Sequence, residues 1–471
     1  MARAIHWFRQ DLRISDNPAL CAAVRFGAVI PIYILDEVNA GDDAMGAASR
    51  VWLHKSLQKL NESLQGKLQV FSGDARQILP ELVQEWQVEA VFWNRAYEPW
   101  RMQRDQEIKS YLKAQSIHVE SFQASVLWEP WTLNKPDGTP YKVFTPFFHR
   151  RASAESTLPR EPLPSLDISF ADIPAGQGIE ALELVPNKDW AQNFLSEETC
   201  GEAAALARLQ DFVQNGLSGY KKGRNNPALP NVSRLSSALH FGEISPNQAY
   251  HAACVCDSPS DVEHFQRELG WREFSIYVLY HNPELAQKNF NPAFDAFPWR
   301  QKHPKLWRWQ MGQTGYPIID AGMRQLYQTG WMHNRVRMVV ASFLVKNMLV
   351  DWRIGAAWFW DTLSDADQAS NSASWQWVAG SGADGAPYFR IFNPVLQGEK
   401  FDAEGDYTLS YVPELQALPK KFLHKPWQAP RNVLREAGIV LGEDYPNPMI
   451  DLAQSRGSAL EAFEMMKMQN S

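Results

Sequence analysis

The hydrophobic periodicity of this chain changes character once, and that change limits the folds it can adopt. From the N-terminus to about residue 125, short β-rich apolar runs alternate with helical ones. AIHWF, AVIPIYIL, LQVFSG, EAVFWN and HVESFQ are strand-like, and stretches between them such as AASRVWLHKSLQKLNESLQ repeat their apolar positions every three or four residues. Strand–helix alternation at this spacing predicts a parallel sheet covered on both faces, a doubly wound α/β domain. Near residues 150–195 the sequence becomes rich in Pro, Ser, Ala and Gly without a sustained period, which reads as an inter-domain connector draped over the surface. Beyond Glu197 the pattern is helical almost without relief, as in CGEAAALARLQDFVQNGL, VEHFQRELGWREFSIYVLYH and MHNRVRMVVASFLVKNMLV. The expected organisation is an α/β domain over 1–130, a connector over 131–196 and an all-α domain over 197–471, the last large enough to enclose a sizeable cofactor.

Composition excludes several classes. With 45% hydrophobic and 21% charged residues the 471-residue chain is globular rather than disordered. No run approaches the roughly 20 apolar residues that span a bilayer. Arg9, Asp11 and Arg13 interrupt the place where a signal peptide needs an apolar stretch. The four cysteines, Cys21, Cys200, Cys254 and Cys256, form no C-x-x-C pair, consistent with a reducing compartment. A soluble cytoplasmic protein is expected. The net charge of −7 argues against general DNA binding, yet Gly219–Val350 carries fifteen Lys and Arg against nine Asp and Glu. A segment of net +6 inside an acidic chain permits an anionic partner there.

Common catalytic signatures are missing. No GxGxxG follows the first strand, and there is no Walker motif, HExxH, paired CxxC or G-x-S-x-G elbow. Metal-dependent and hydrolytic chemistry are not expected, and no metal site is assigned. The informative residues are polar groups interleaved with tryptophan on helices. In RELGWREFS, Glu268, Trp271, Arg272 and Ser275 recur at three- and four-residue spacing and share one helix face. In GWMHNRVRMVV, Asn334 and Met338 are four apart, with Arg335 beside Asn334. One such set is a solvated face as readily as a site; two sets flanked by apolar runs favour a polar-lined cavity in the helical domain.

Two more segments point the same way. DADQASNSASWQWVAGSGADGAPYFRIFNPVLQGEKFD reads as one long irregular stretch whose small residues admit a planar ligand, with Asp365 and Asp367 as acceptors for ligand hydroxyl or ring N–H groups. RNNPALPNVSRLSSALHFGEISP places Ser233, Arg234, Ser236 and Ser237 at a helix start, a set suited to a diphosphate. Together they describe a large, planar, phosphate-bearing cofactor without saying which.

At these residues the chain resembles the photolyase/cryptochrome flavoprotein family, and most of all its microbial class I deoxyribodipyrimidine (cyclobutane pyrimidine dimer) photolyases. The resemblance runs from HWFRQDLRISDNPAL to LHKPWQAP and is carried by WREFS, TGYPIIDAGMRQL, GWMHNRVRM, ASWQW and PYFRIFNP. It implies FAD, active as the reduced anion, in the helical domain, and an N-terminal antenna-type domain. By motif, Tyr220, Ser233, Arg234, Leu235, Ser236, Ser237 and Arg272 would meet the flavin or its phosphates; Asp365, Ala366 and Asp367 would line the ribityl and isoalloxazine side; Asn371 would face flavin N5.

The implied reaction is light-driven repair of cyclobutane pyrimidine dimers in UV-damaged DNA, one electron passing to the lesion and returning. Trp271 and Trp377 would wedge the flipped dimer, Glu268 and Asn334 would hydrogen-bond its edges, and Met338 would make an apolar contact. Arg224, Arg272, Arg335 and Gln397 would reach the strand around the lesion. Trp375, Trp352 and Trp299 fall at the positions of the family's electron-hopping chain, while most of the 19 tryptophans read as core. Folate-binding relatives have an Asn-Glu pair where this chain has Trp100 and Arg101, so a second, antenna chromophore is open between methenyltetrahydrofolate (preferred), a deazaflavin, another flavin, or none. The expected protein is a monomer with no obligatory protein partner. The alternatives are a cryptochrome-type photoreceptor, disfavoured by Trp271, Trp377 and Asn371, and a six-four photolyase, disfavoured by Asn334 and Met338 where that subgroup places two histidines.

Overall fold

Five parallel strands build the N-terminal part: β1 Arg3–Phe8, β2 Ala28–Leu35, β3 Gln69–Ser72, β4 Ala90–Asn94 and β5 His118–Phe122. They are seen in a computed structural model that describes residues 2–151, 158–186, 191, 194 and 199–470. The strand order is β3-β2-β1-β4-β5, and the register sets Ile5 opposite both Ile30 and Val91. This is the doubly wound sheet that the strand–helix alternation predicts. Every residue of β2 is buried, as a continuous apolar run must be when helices cover both faces. Alternate residues divide between two cores: Ala4, Phe8, Val29 and Tyr33 on one face, Ile5, Trp7, Ile30 and Ile32 on the other. Local signals start the helices. Asn17 caps Pro18–Phe26 by accepting from Leu20 N at 3.0 Å, and Asp74 caps Ala75–Glu85.

A buried guanidinium ties the sheet to the first helices beyond the connector. Arg13, fully enclosed, donates to the carbonyls of Asp16, Ala124 and Gly242 at 2.8–3.2 Å. Gly242 has φ +68°, and a Cβ there would fall 2.0 Å from the Gln10 carbonyl oxygen, so only glycine allows this approach. Part of the expected connector pairs with β2: Val29 N donates to Ser169 O and Ala171 N to Val29 O. Residues 152–157, 187–190, 192–193 and 195–196 of the expected connector, and 197–198 of the expected helical domain, lie outside the described residues.

From residue 199 onward the described chain is helical, its longest helix being Pro259–His281. One expectation needs correction. The stretch 365–402, read as a single irregular loop, contains the helices Gln368–Ala379 and Pro394–Phe401. Gln, Ala and Trp in the first sustain a helix despite the serines, and Asn393 caps the second through Val395 N and Leu396 N.

The chain packs as two compact units. The first comprises Met1–Lys221, Asn231–Pro283 and Ser364–Ala369; the second comprises Lys222–Pro230, Glu284–Leu363 and Ser370–Ser471. Among the described residues no helix is long and apolar enough to cross a membrane.

Arg13→Ala strands three buried carbonyls at once. It is expected to cost roughly 3 kcal/mol of stability, read as a lower urea midpoint of the full chain by circular dichroism. An unchanged midpoint would show that water replaces the guanidinium freely.

Candidate functional site

In the first unit, the segment expected to bind a diphosphate forms the short helix Ser236–Phe241. Its N-cap residue is Leu235, which supplies no side-chain bond, so the first-turn amides lack the usual internal acceptor. Arg234 just before it has φ +51°, a conformation that a side-chain-bearing residue holds only when its surroundings fix it. Ser236 and Arg234 are exposed, whereas Leu235 and Ser237 are buried. Ser237 Oγ lies 2.9 Å from Ser364 Oγ, and His240 Nδ1 lies 3.6 Å from Asp367 Oδ2. These two links bring Asp365, Ala366 and Asp367 beside the helix start. His240 was not singled out from the sequence; its Nδ1 is buried without a hydrogen-bond partner. An uncapped helix start, serine hydroxyls and two carboxylates in one place suit a diphosphate flanked by polyol hydroxyls. Tyr220 is buried nearby in sequence, edge-on to Phe212 and Phe265.

The helix Pro259–His281 carries Glu268, Trp271, Arg272 and Ser275 on one face, as the spacing predicts. Ser275 Oγ donates to Trp271 O at 2.9 Å. Trp271 is half-buried and stacks on Phe144, ring centres 3.9 Å apart and planes within 12°. Phe144 comes from the expected connector, and nothing in its local sequence marks that partnership. Arg272 pairs with Glu273 at 3.1 Å. Glu273, also missed, accepts from Leu127 N (2.8 Å) and Trp128 N (3.4 Å), and burial raises its pKa to about 7 against the opposing pull of Arg272 and those amides.

In the second unit, Asn334 opens the helix Asn334–Ser342 and is exposed, with Met338 half-buried one turn on. Arg335 donates to Asn225 Oδ1 at 2.5 Å and lies 4.5 Å over the Phe401 ring. Gln397 sits one turn before Phe401, its Oε1 buried without a partner. Burial, then the charges of Arg224, Arg335 and Arg337, push His333 down to about 3, and burial and Arg224 lower the pKa of Arg335. His333 is therefore neutral at ordinary pH, and its Nδ1 accepts from Arg335 N at 3.1 Å. A half-buried guanidinium beside another positive charge forms a place where an anion is favoured.

The three tryptophans singled out all lie in this unit. Trp375 is buried against Phe359, 5.0 Å between centres, and its ring fills the space over Gly355, where a Cβ would meet Cη2 at 2.2 Å. Gly355 is three residues from Trp352 on the helix Trp352–Thr362. Trp352 is fully buried and donates from Nε1 to Asn289 Oδ1 at 3.0 Å. Arg300 pairs through its backbone with Val350, which sets Trp299 beside the start of that helix. Trp299 is half-buried against Phe297, so the series runs from interior to surface. Asn371 donates from Nδ2 to Ala356 O at 3.0 Å, which commits the amine end of its amide. Trp377 is half-buried near the end of its helix, where its carbonyl accepts from Ala386 N at 3.0 Å.

A cavity opens in the first unit at the carboxyl ends of β1 and β2, beside the strand-order reversal where such sheets take ligands. Trp7, Arg9, Tyr33, Asp36, Trp100, Arg101 and Arg104 line it. Arg104 lies 4.7 Å over Trp7 and 5.0 Å over Trp100, and pairs with Asp36 at 3.2 Å. With a free volume of about 30 Å³ and Arg104 lying over both indoles, the cavity as it stands holds little more than a water.

Comparison with known proteins adds the following. The family described as "DNA photolyase" matches residues 4–167, and "FAD binding domain of DNA photolyase" matches residues 265–465. A deoxyribodipyrimidine photo-lyase from Agrobacterium fabrum is 48% identical, covering 99% of this chain and 98% of that protein. Cryptochrome-1 of Arabidopsis thaliana is 36% identical, covering 98% of this chain and 70% of that protein. The solved structure of a bacterial class III photolyase from Agrobacterium tumefaciens superposes with a TM-score of 0.95 at 46% identity, covering 99% of this chain and 98% of that one.

The buried carboxyl of Glu273 makes a pH prediction. Its folded pKa, about 7, lies above its ordinary 4.5. The stability it contributes is therefore full below pH 4.5 and lost as pH rises through about 7. Glu273→Gln should remove that slope, so the gap in melting temperature between wild type and variant should narrow or invert from pH 5 to pH 8. The full swing is at most about 3 kcal/mol. A pH-independent gap would contradict the assignment.

Proposed function

The chain belongs to the photolyase/cryptochrome family, and from that premise we propose that it uses light to split cyclobutane pyrimidine dimers in DNA. The observation that carries this reading is the placement of Glu268 and Trp271 on one helix face, with Trp271 backed by Phe144. A half-exposed indole held rigid by a stacked neighbour is a platform for an extruded base, and base stacking is worth roughly 1–3 kcal/mol. Glu268 would donate to or accept from the pyrimidine edge, as would Asn334, with Met338 and Trp377 supplying apolar contact. Hydrogen-bond donors aimed at the lesion would stabilise the charge it gains.

FAD, when bound, supplies a light-excited one-electron donor. The residues suited to hold it are the helix start at Ser236 and Ser237 with Ser233, Arg234 and Leu235 for the diphosphate, and Asp365, Ala366 and Asp367 for the polyol and ring. Tyr220 and Arg272 would complete the contacts. The Nδ2 of Asn371 is held by the Ala356 carbonyl, which supports its Oδ1 as the acceptor for a ring N–H. Trp375, Trp352 and Trp299 would conduct electrons inward. Arg224, Arg335 and Gln397 would hold the strand; burial and the charge of Arg224 disfavour the protonated form of Arg335, which a phosphate would offset.

A second, antenna chromophore would be methenyltetrahydrofolate, by preference, or a deazaflavin, another flavin, or none; the small cavity at Trp7 and Trp100 would have to open to take one. The lesion chemistry does not depend on whether the chain sorts with class I, as its motifs suggest, or with the class III protein. The chain would act as a monomer on UV-damaged DNA in the cytoplasm, with 1–130, 131–196 and 197–471 as its antenna domain, connector and helical domain.

Two variants separate positioning from recognition. Arg335→Ala should weaken damaged and undamaged duplex alike and flatten the plot of log affinity against log salt by roughly one unit, since a phosphate contact carries no lesion information. Trp271→Ala should leave that slope unchanged and lower the preference for damaged DNA by about tenfold. Fluorescence-anisotropy titrations in the dark read both. An intact damaged-to-undamaged ratio in Trp271→Ala would put the lesion pocket elsewhere.

A further inference from the structure

Immediately after Trp299 the chain enters the segment Arg300–Arg308, RQKHPKLWR. It carries Arg300, Lys302, Lys305 and Arg308, and no Asp or Glu occurs from Ala296 to Ile319. Arg300, Lys302 and Lys305 are exposed. Among the described residues none of the four cations is in an ion pair. Lys305 and Arg308 have structural work: they donate to the carbonyls of Met449, and of Gln313 and Asn447, respectively. The side chains of Arg300 and Lys302 make no hydrogen bond among the described residues. The carboxylate that this segment does touch, Asp351, is taken by Arg353 at 3.1 Å and by Gln301 Nε2 at 2.9 Å. His303 is held toward its neutral form by burial and by Arg300 and Lys305. A chain of net charge −7 thus presents, directly after the most exposed of the three tryptophans singled out, cations that are in no ion pair among the described residues.

The fold does not explain Arg300 and Lys302. Long cations with no partner near an aromatic ring raise the local concentration of anions, by an attraction that falls off within a Debye length of about 10 Å at 0.1 M salt. Trp299 gives that attraction a use. Its indole Nε1 is buried without an acceptor, so once oxidised it has no internal base to take its proton and stays a strongly oxidising cation.

We propose that Arg300 and Lys302 form a docking surface for a small anionic one-electron reductant, of the enediolate class, that refills Trp299. The proposal rests on reading Trp375, Trp352 and Trp299 as an electron path. The step balances: the donor loses one electron to the oxidised indole, which returns to its closed-shell form. The donor departs as its radical and releases its proton to water.

The test follows, by transient absorption after a laser flash, the decay of the oxidised tryptophan in oxidised, FAD-loaded full-length protein. Ascorbate serves as the anionic donor and dithiothreitol as the neutral one. In wild type the ascorbate rate constant should fall several-fold between about 20 mM and about 500 mM NaCl. The double variant Arg300→Gln/Lys302→Gln should lower it about three- to tenfold at low salt and remove most of the salt dependence, with the dithiothreitol rate unchanged. Unaltered capture of ascorbate by the variant, or equal loss for both donors, would overturn the docking surface. Absence of any oxidised tryptophan in wild type would instead overturn the electron path, and the proposal with it.

Discussion

Ser237 Oγ and Ser364 Oγ meet at 2.9 Å in the interior of the first unit, 127 residues apart in sequence. Both residues are buried, and the bond between their hydroxyls lies away from solvent. One belongs to the first turn of the helix Ser236–Phe241, and the other immediately precedes Asp365–Asp367. The bond therefore decides that an uncapped helix start and a pair of carboxylates occupy the same neighbourhood. His240 and Asp367 repeat the link one turn further along. A cofactor with a diphosphate and a polyol would need that juxtaposition.

The second unit achieves its arrangement through close approach rather than hydrogen bonding. Gly355 leaves room for the Trp375 ring where any side chain would collide, and the same helix carries Trp352 into the interior. Asn289 satisfies the Trp352 indole and donates in turn to Asp295 at 2.6 Å. Buried indoles need such partners, and the partner also fixes the ring's orientation. Positive charge is handled differently in three places. Arg13 donates to three carbonyls and serves the fold; Arg335 beside the charge of Arg224 suits a polyanion; Arg300 and Lys302 stand at the surface in no ion pair among the described residues.

The sheet was legible in the sequence because a parallel strand buried on both faces must be a continuous apolar run, and AVIPIYIL is one. The faces of the tryptophan-bearing helices were legible because spacing alone determines which residues share a helix face. What lay beyond local pattern was long-range. Phe144 stacks on Trp271, Asn225 accepts from Arg335, and His240 faces Asp367, and no neighbouring residue announces any of these contacts. The helix Gln368–Ala379 was read as loop because its serines and asparagine compete for backbone hydrogen bonds in isolation; packing of Trp375 and Val378 in the interior overrides that preference. The residue types required by the chemistry were visible, and the family resemblance assigned them roles. Their supporting partners needed coordinates.

The central claim is that this chain splits a cyclobutane dimer with light and leaves other photoproducts alone. The direct measurement supplies FAD-loaded, anaerobically reduced protein with oligonucleotides bearing either one cyclobutane thymine dimer or one six-four photoproduct. Each is assayed by chromatography after blue illumination and after an equal time in the dark. The account predicts that intact thymines are recovered from the cyclobutane substrate under light alone, with the six-four substrate unchanged. Recovery in the dark, or bound cyclobutane substrate that survives illumination, would contradict it.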